Sequence, residues 1–146
     1  MSINLKLIRN SFLFVLLAIA SCFTDYDVNT ADTKANINGL KRHCKVQISN
    51  DISKVYYYAD EFGADVIYQL SFKCDQPTID KIIHSLSLKV APSEFNGLDP
   101  RDDLGWWNSK SLNNRSHWVH IVQNAYYKEL WYSKKDNIAF YIEYSL

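Results

Sequence analysis

The chain has 146 residues, with 16 Lys+Arg against 16 Asp+Glu and a formal net charge of zero. That balance, with no polybasic stretch, lacks the electrostatic footprint of a nucleic-acid-binding protein, and no nucleic-acid partner is expected. Ten Tyr, seven Phe and four Trp beside only four Gly and three Pro exclude a disordered chain and indicate a strand-rich domain.

The first element is the apolar run from Phe12 to Cys22, preceded by Lys6 and Arg9 and ending in Ala18-Ile19-Ala20-Ser21-Cys22. A positive start, an apolar stretch and small residues before a cut are the layout of a secretory signal. The run is too short to cross a hydrocarbon core, which takes about 20 apolar residues. Ile19-Ala20-Ser21-Cys22 resembles the lipobox of bacterial lipoproteins. The resemblance covers the first 22 residues. It implies removal of residues 1–21, a diacylglycerol thioether on Cys22 and, in most of that class, an acyl chain such as palmitate on the new amino group. Phe23 stands where lipoproteins kept in the inner membrane carry Asp, which implies an outer-membrane anchor facing the periplasm. Ala18-Ile19-Ala20 is also an A-x-A site, so the alternative is cleavage before Ser21 and a soluble, secreted product. Loss of Lys6 and Arg9 takes Lys+Arg from 16 to 14 against 16 acidic residues, leaving a mature net charge of −2.

The three cysteines fit that compartment. With Cys22 occupied by lipid, Cys44 and Cys74 remain, and an oxidising envelope favours a disulfide between them. Such a bridge would stabilise the fold by roughly 3–4 kcal/mol through the chain entropy of the unfolded state. Two separate buried thiols are the alternative. No CxxC or HxxxH spacing completes a zinc site.

Residues 23–40 are polar and without period, which reads as a flexible tether; the alternative is a short helix from Thr30 onward, which has no apolar face to bury. Eighteen coil residues have an r.m.s. reach of roughly 20–25 Å. A globular domain over 41–146 follows. Lys41 to Ile48 alternates weakly, with Cys44, Val46 and Ile48 on one side, and predicts a strand. Lys54 to Ala59 predicts a second, followed by a bend around Gly63. Val66, Tyr68, Leu70, Phe72 and Cys74 alternate strictly with Ile67, Gln69, Ser71 and Lys73, the pattern of a half-buried antiparallel strand. Thr78 is the expected N-cap of a helix whose Ile79, Ile82, Ile83 and Leu86 form one apolar stripe, ending near Leu88.

Ala91 to Arg115 has no period and holds Pro92, Gly97, Asp99-Pro100-Arg101-Asp102-Asp103 and Trp106-Trp107. Segments of that length without secondary structure are uncommon and usually functional when ordered. Strands return at Trp118–Val122, Tyr126–Ser133 and Ile138–Tyr144. The pattern predicts an α+β domain: a single antiparallel sheet of about five or six strands with one helix packed on one face. An all-β barrel with a peripheral helix is the alternative.

Chemistry-bearing motifs are sparse. His117 and His120 would converge on a metal from a helix, but on a strand they point to opposite faces. Asp99 to Asp103 lacks the alternation and distal Glu of an EF-hand loop and reads as a turn. There is no Gly-x-Ser-x-Gly and no phosphate-cradling glycine loop. No catalytic residue, metal ligand or cofactor is assigned. The adjacent Trp106 and Trp107, with Arg101, are the candidate binding residues, since aromatic and Arg side chains dominate contact hot spots. The other reading of the tryptophans is a plug for the sheet face that the helix leaves open.

In size, anchor and cysteine pair the chain resembles small envelope lipoproteins, some of which act as inhibitors or immunity proteins against envelope-attacking enzymes. The resemblance implies a non-enzymatic, membrane-anchored protein with a protein partner. The alternatives are a small envelope hydrolase or metal-dependent enzyme using His117, His120 and the 99–103 loop, and a structural envelope-assembly subunit.

Overall fold

Thr33 closes the start of a helix that the composition conceals. The computed structural model describes residues 28–62, 65–93, 95, 97, 100–122 and 126–145. The signal run, Cys22, Gly63 and Asp99 lie outside the described residues. Helix α1 spans Lys34–Cys44, with the Thr33 hydroxyl accepting from Asn36 N at 3.2 Å. Lys41, Arg42 and His43 occupy its last turn, where positive charge suits the dipole, and Lys45 ends it at φ 55°. Its buried side is Asn36, Gly39, Leu40, His43 and Cys44, a helical stripe made largely of polar and small residues. The flexible tether is therefore corrected from Val28 onward, since Val28 O accepts from the Trp106 indole and Asp32 N donates to Val55 O, and the strand over Lys41–Ile48 does not form. The apolar positions at Cys44, Val46 and Ile48 alternate, yet Cys44 belongs to a helix that Lys45 terminates.

Six strands follow: β1 (Ser53–Phe62), β2 (Asp65–Lys73), β3 (Lys89–Val90), β4 (Ser116–Val122), β5 (Tyr126–Ser133) and β6 (Ile138–Ser145). They form one sheet in the order β1-β2-β6-β5-β4-β3, antiparallel at every pairing. This is the expected single antiparallel sheet, with β1 and β3 at its edges. The register is unbroken across its middle, where Leu70 pairs with Tyr141 and Tyr141 with Leu130.

Helix α2 (Gln76–Ser85) lies between β2 and β3, so the described residues hold two α-helices rather than one. Its N-cap is Asp75, not Thr78, with proline in the first turn. The Thr78 hydroxyl instead donates to Asp51 Oδ2 at 2.7 Å, and Asp75 N donates to the same oxygen at 3.1 Å. Asp51 thus ties the turn before β1 to the start of α2, and the hydrogen bonds from Ser49 and Thr78 hold its pKa down at about 2.

Side chains alternate across the sheet and so divide into two buried clusters. Leu70, Phe72, Leu130 and Tyr141 share the first with Leu40 of α1 and with Ile79 and Ile82 of α2. Phe140, Ile142, Tyr144 and Trp131 share the second with Leu104, Trp107 and Leu112, all from the long segment before β4. That segment ends in a 3-10 turn, Ser109–Asn114, and passes through Arg115 into β4.

A candidate binding cleft

The long segment is held by side chains that imitate a strand partner. Gln69, fully buried on β2, donates from Nε2 to Arg101 O at 3.3 Å and accepts from Arg101 N at 3.2 Å. Asp102 accepts from Ser109 N at 3.2 Å. The Arg101 guanidinium is taken up by a bidentate pair with Asp103 and lies 4.8 Å over the Tyr58 ring.

Trp107 is 3% exposed and meets Trp131 and Phe140 edge-on at 6.3 and 5.3 Å. Trp106 is half-buried, stacks on Tyr56 at 5.7 Å and donates its indole N–H to Val28 O at 2.7 Å. Both tryptophans therefore plug the second cluster. Cys44 and Cys74 are both buried in the first cluster and are unbridged in this structure. Cys44 sits on the last turn of α1 rather than on a strand, and its charge state is coupled to that of Cys74. Burial pushes both thiols up, that of Cys74 to about 12.

Beneath the same segment lies a cleft of about 540 Å³ between the 90–100 stretch, the 3-10 turn and strands β4 and β5. Its floor carries a relay of three side chains. His117 Nε2 lies 3.0 Å from Glu129 Oε2, and Tyr144 OH donates to Glu129 Oε1 at 2.9 Å. Glu129 is 1% exposed. The His117 ring is stacked on Trp131 at 4.5 Å with 12° between planes, and Phe95 meets it edge-on at 5.9 Å. A side chain at Gly97 would overlap the Glu129 carboxylate, so the backbone closes over that group there. A carboxylate hydrogen-bonded to Nε2 selects which imidazole nitrogen carries the proton, leaving Nδ1 the acceptor in the neutral ring. His120, by contrast, hydrogen-bonds through Nδ1 to Ser87 O at 3.1 Å. The two histidines do not converge, and Asp102 and Asp103 are engaged within the loop.

Arg115 lines the cleft where the 3-10 turn meets β4. Its Nε donates to Ser111 O at 3.0 Å and its Nη1 to Ile138 O at 3.3 Å, and its guanidinium lies 4.8 Å over Phe140. Burial lowers its pKa, opposed by the charge of Asp136.

A second polar centre belongs to the other cluster. Glu143 accepts from Tyr141 OH at 2.7 Å and from Tyr126 OH, with His43 Nδ1 at 3.0 Å and Lys128 Nζ at 3.6 Å. His43 Nε2 lies 3.2 Å from Tyr57 OH, so the network joins α1 to β1, β5 and β6. Burial raises the pKa of Glu143, but its hydrogen bonds from His43, Tyr126 and Tyr141 bring it down to about 2.

Sequence reasoning singled out His117 but missed Glu129, Tyr144 and Arg115. One signal was present. Tyr127, Glu129 and Trp131 share a face of a period-2 strand, and a carboxylate between two aromatics on a buried face requires a partner. Comparison with family models, with curated proteins and with solved structures finds no match.

Proposed function

We propose that this chain is a lipid-anchored, non-enzymatic protein of the bacterial envelope, in the outer membrane and facing the periplasm, that binds a partner through the cleft over β4 and β5. The observation that carries the binding role is a preformed concavity whose walls are held by internal hydrogen bonds. Tryptophan plugs, the Gln69 clamp and the Glu129 relay all hold its shape, which lowers the ordering cost of binding. The chemistry of a hydrolase is less well supported. Ser109 Oγ in the cleft donates to Asp102 rather than to His117, and Glu129 is enclosed by Gly97 and Tyr144. We also infer that α1 and α2 together cover the sheet face opposite the cleft.

The anchor rests on the Phe12–Cys22 run and its lipobox. No described helix is long and apolar enough to cross a membrane. Val28 O is bonded to Trp106, and Asp32 N to Val55 O, so the fold holds the chain from its first described residues. Five residues lie between Cys22 and Val28, and the six Cα–Cα steps reach about 20 Å at full extension. Lipidation at Cys22 would therefore hold the domain against the headgroups. The analogy with inhibitors and immunity proteins makes a protein the expected partner.

Two measurements test this reading. Mass spectrometry of the mature N-terminus should show a diacylated and N-acylated Cys22, and an unmodified chain starting at Ser21 would overturn the anchor. A photo-crosslinking residue at exposed Asn113, on the cleft rim, should trap a discrete partner in intact envelopes, and the same group at Lys135 should not. Equal products from both positions would remove the cleft as the recognition surface.

A further inference from the structure

Resting on the cleft as the recognition site, we infer that it takes the carboxylate of a small organic anion or chain terminus with an apolar body, and that Arg115 is the charge partner.

Arg115 is held by two elements at once. Two of its N–H groups are spent on carbonyls from different elements, Ser111 and Ile138, and Phe140 supports the guanidinium plane. A guanidinium has five N–H donors in a rigid fork, so three are left unbonded among the described residues. The ion pairs among the described residues use His43, Arg101, His117 and Lys128, and none uses Arg115. Asp136 acts on this half-buried permanent cation only from beyond ion-pair distance, so its fixed fork is free to take a closer carboxylate from outside.

The rest of the cleft selects the kind of anion. The described residues lining it carry one permanent positive charge, Arg115, and the floor already holds the Glu129 carboxylate. The hydrogen bonds from His117 and Tyr144 spread the charge of Glu129, so a singly charged carboxylate on Arg115 meets less repulsion from it than a phosphate dianion would. The planar fork also matches a planar carboxylate edge to edge. Pro92, Phe95, Leu112 and Trp131 supply apolar wall for the body, and the volume suits a ligand of small-molecule size. In its neutral form His117, with Nε2–H on Glu129, offers Nδ1 as an acceptor to a donor group on the same ligand.

The test uses 3-phenylpropionate as the probe and 3-phenylpropanamide as its uncharged isostere, titrated into the mature full-length protein by calorimetry. The acid should bind saturably and at least about tenfold more tightly than the amide, the scale of a lost hydrogen bond to a charged group. In Arg115→Gln that preference should vanish. Because Arg115 also ties Ser111 to Ile138, a variant that fails to fold is replaced by footprinting of the native protein. The acid should slow phenylglyoxal modification of Arg115 and leave Arg42 and Arg101 unaffected. Equal affinity for acid and amide, no saturable acid binding up to about 10 mM, or unprotected Arg115 would each overturn the inference. Crosslinking from Asn113 that persists alongside any of these results would leave the cleft as the recognition surface while removing the anion from it.

Discussion

Glu143 is one residue whose ionisation the fold depends on. A side chain with a reference pKa of 4.5 held at about 2 contributes stability on the order of 3 kcal/mol, because the folded state binds the charged form more favourably. The sign follows from the depressed value. The contribution is fully present above pH 4.5 and is lost as pH falls toward about 2. Thermal melts across that window should show a steep acid loss of Tm, and Glu143→Gln should be less stable at pH 7 with a flatter acid limb. An identical acid limb in the variant would assign the effect elsewhere. Gly97 makes a second prediction. Gly97→Ala places a Cβ against the Glu129 carboxylate, so either the loop shifts or the His117–Glu129 bond breaks. The NMR resonances of the His117 ring should move, whereas those of His84, exposed on α2, should not.

At the scale of elements, the long segment before β4 is core rather than appendage. Trp107→Ala should cost about 3–5 kcal/mol in denaturant unfolding, as for other large aromatics removed from a core. Trp106→Ala, at a half-buried position with one indole hydrogen bond, should cost about 1–2 kcal/mol. Equal, small losses at both positions would mean that the segment does not cover the sheet. Helix α1 depends on its cap and on close approach. Thr33→Ala should cost about 1 kcal/mol. Gly39→Ala would set a Cβ 2.8 Å from the Tyr57 ring and should cost about 1–3 kcal/mol, as overpacked sites do. Both losses are read by chemical denaturation. These residues are polar or small, which is why neither the helix nor its buried side stood out in the composition.

For the molecule as a whole, the state of the thiols separates two accounts of its stability. Cys44 and Cys74 are buried, with raised pKa values, so an aromatic disulfide reagent should leave both unreacted in the native protein and titrate both after denaturation. A chain that yields no thiol on unfolding, short of reduction, would restore the bridge. The stability otherwise comes from two clusters on opposite sides of one sheet, pinned by the Glu143 network and by the clamps on the long segment.

What the linear chain determined is whatever depends on period. Strict alternation from Val66 to Cys74 locates β2, the isoleucine stripe locates α2, and alternation across Ile138–Tyr144 locates β6, although β2 is buried on both sides rather than half-buried. The sheet followed from these, as did the divergence of His117 and His120. Tertiary structure alone decided the rest. A helix whose inward side is Asn36, Gly39 and His43 becomes legible only once Tyr57 and Glu143 are there to receive it. The cleft is the clearest case, for Glu129, Tyr144 and Arg115 come from β5, β6 and the turn before β4. Their meeting is set by cross-strand register and by the packing of two tryptophans, and no local pattern records either.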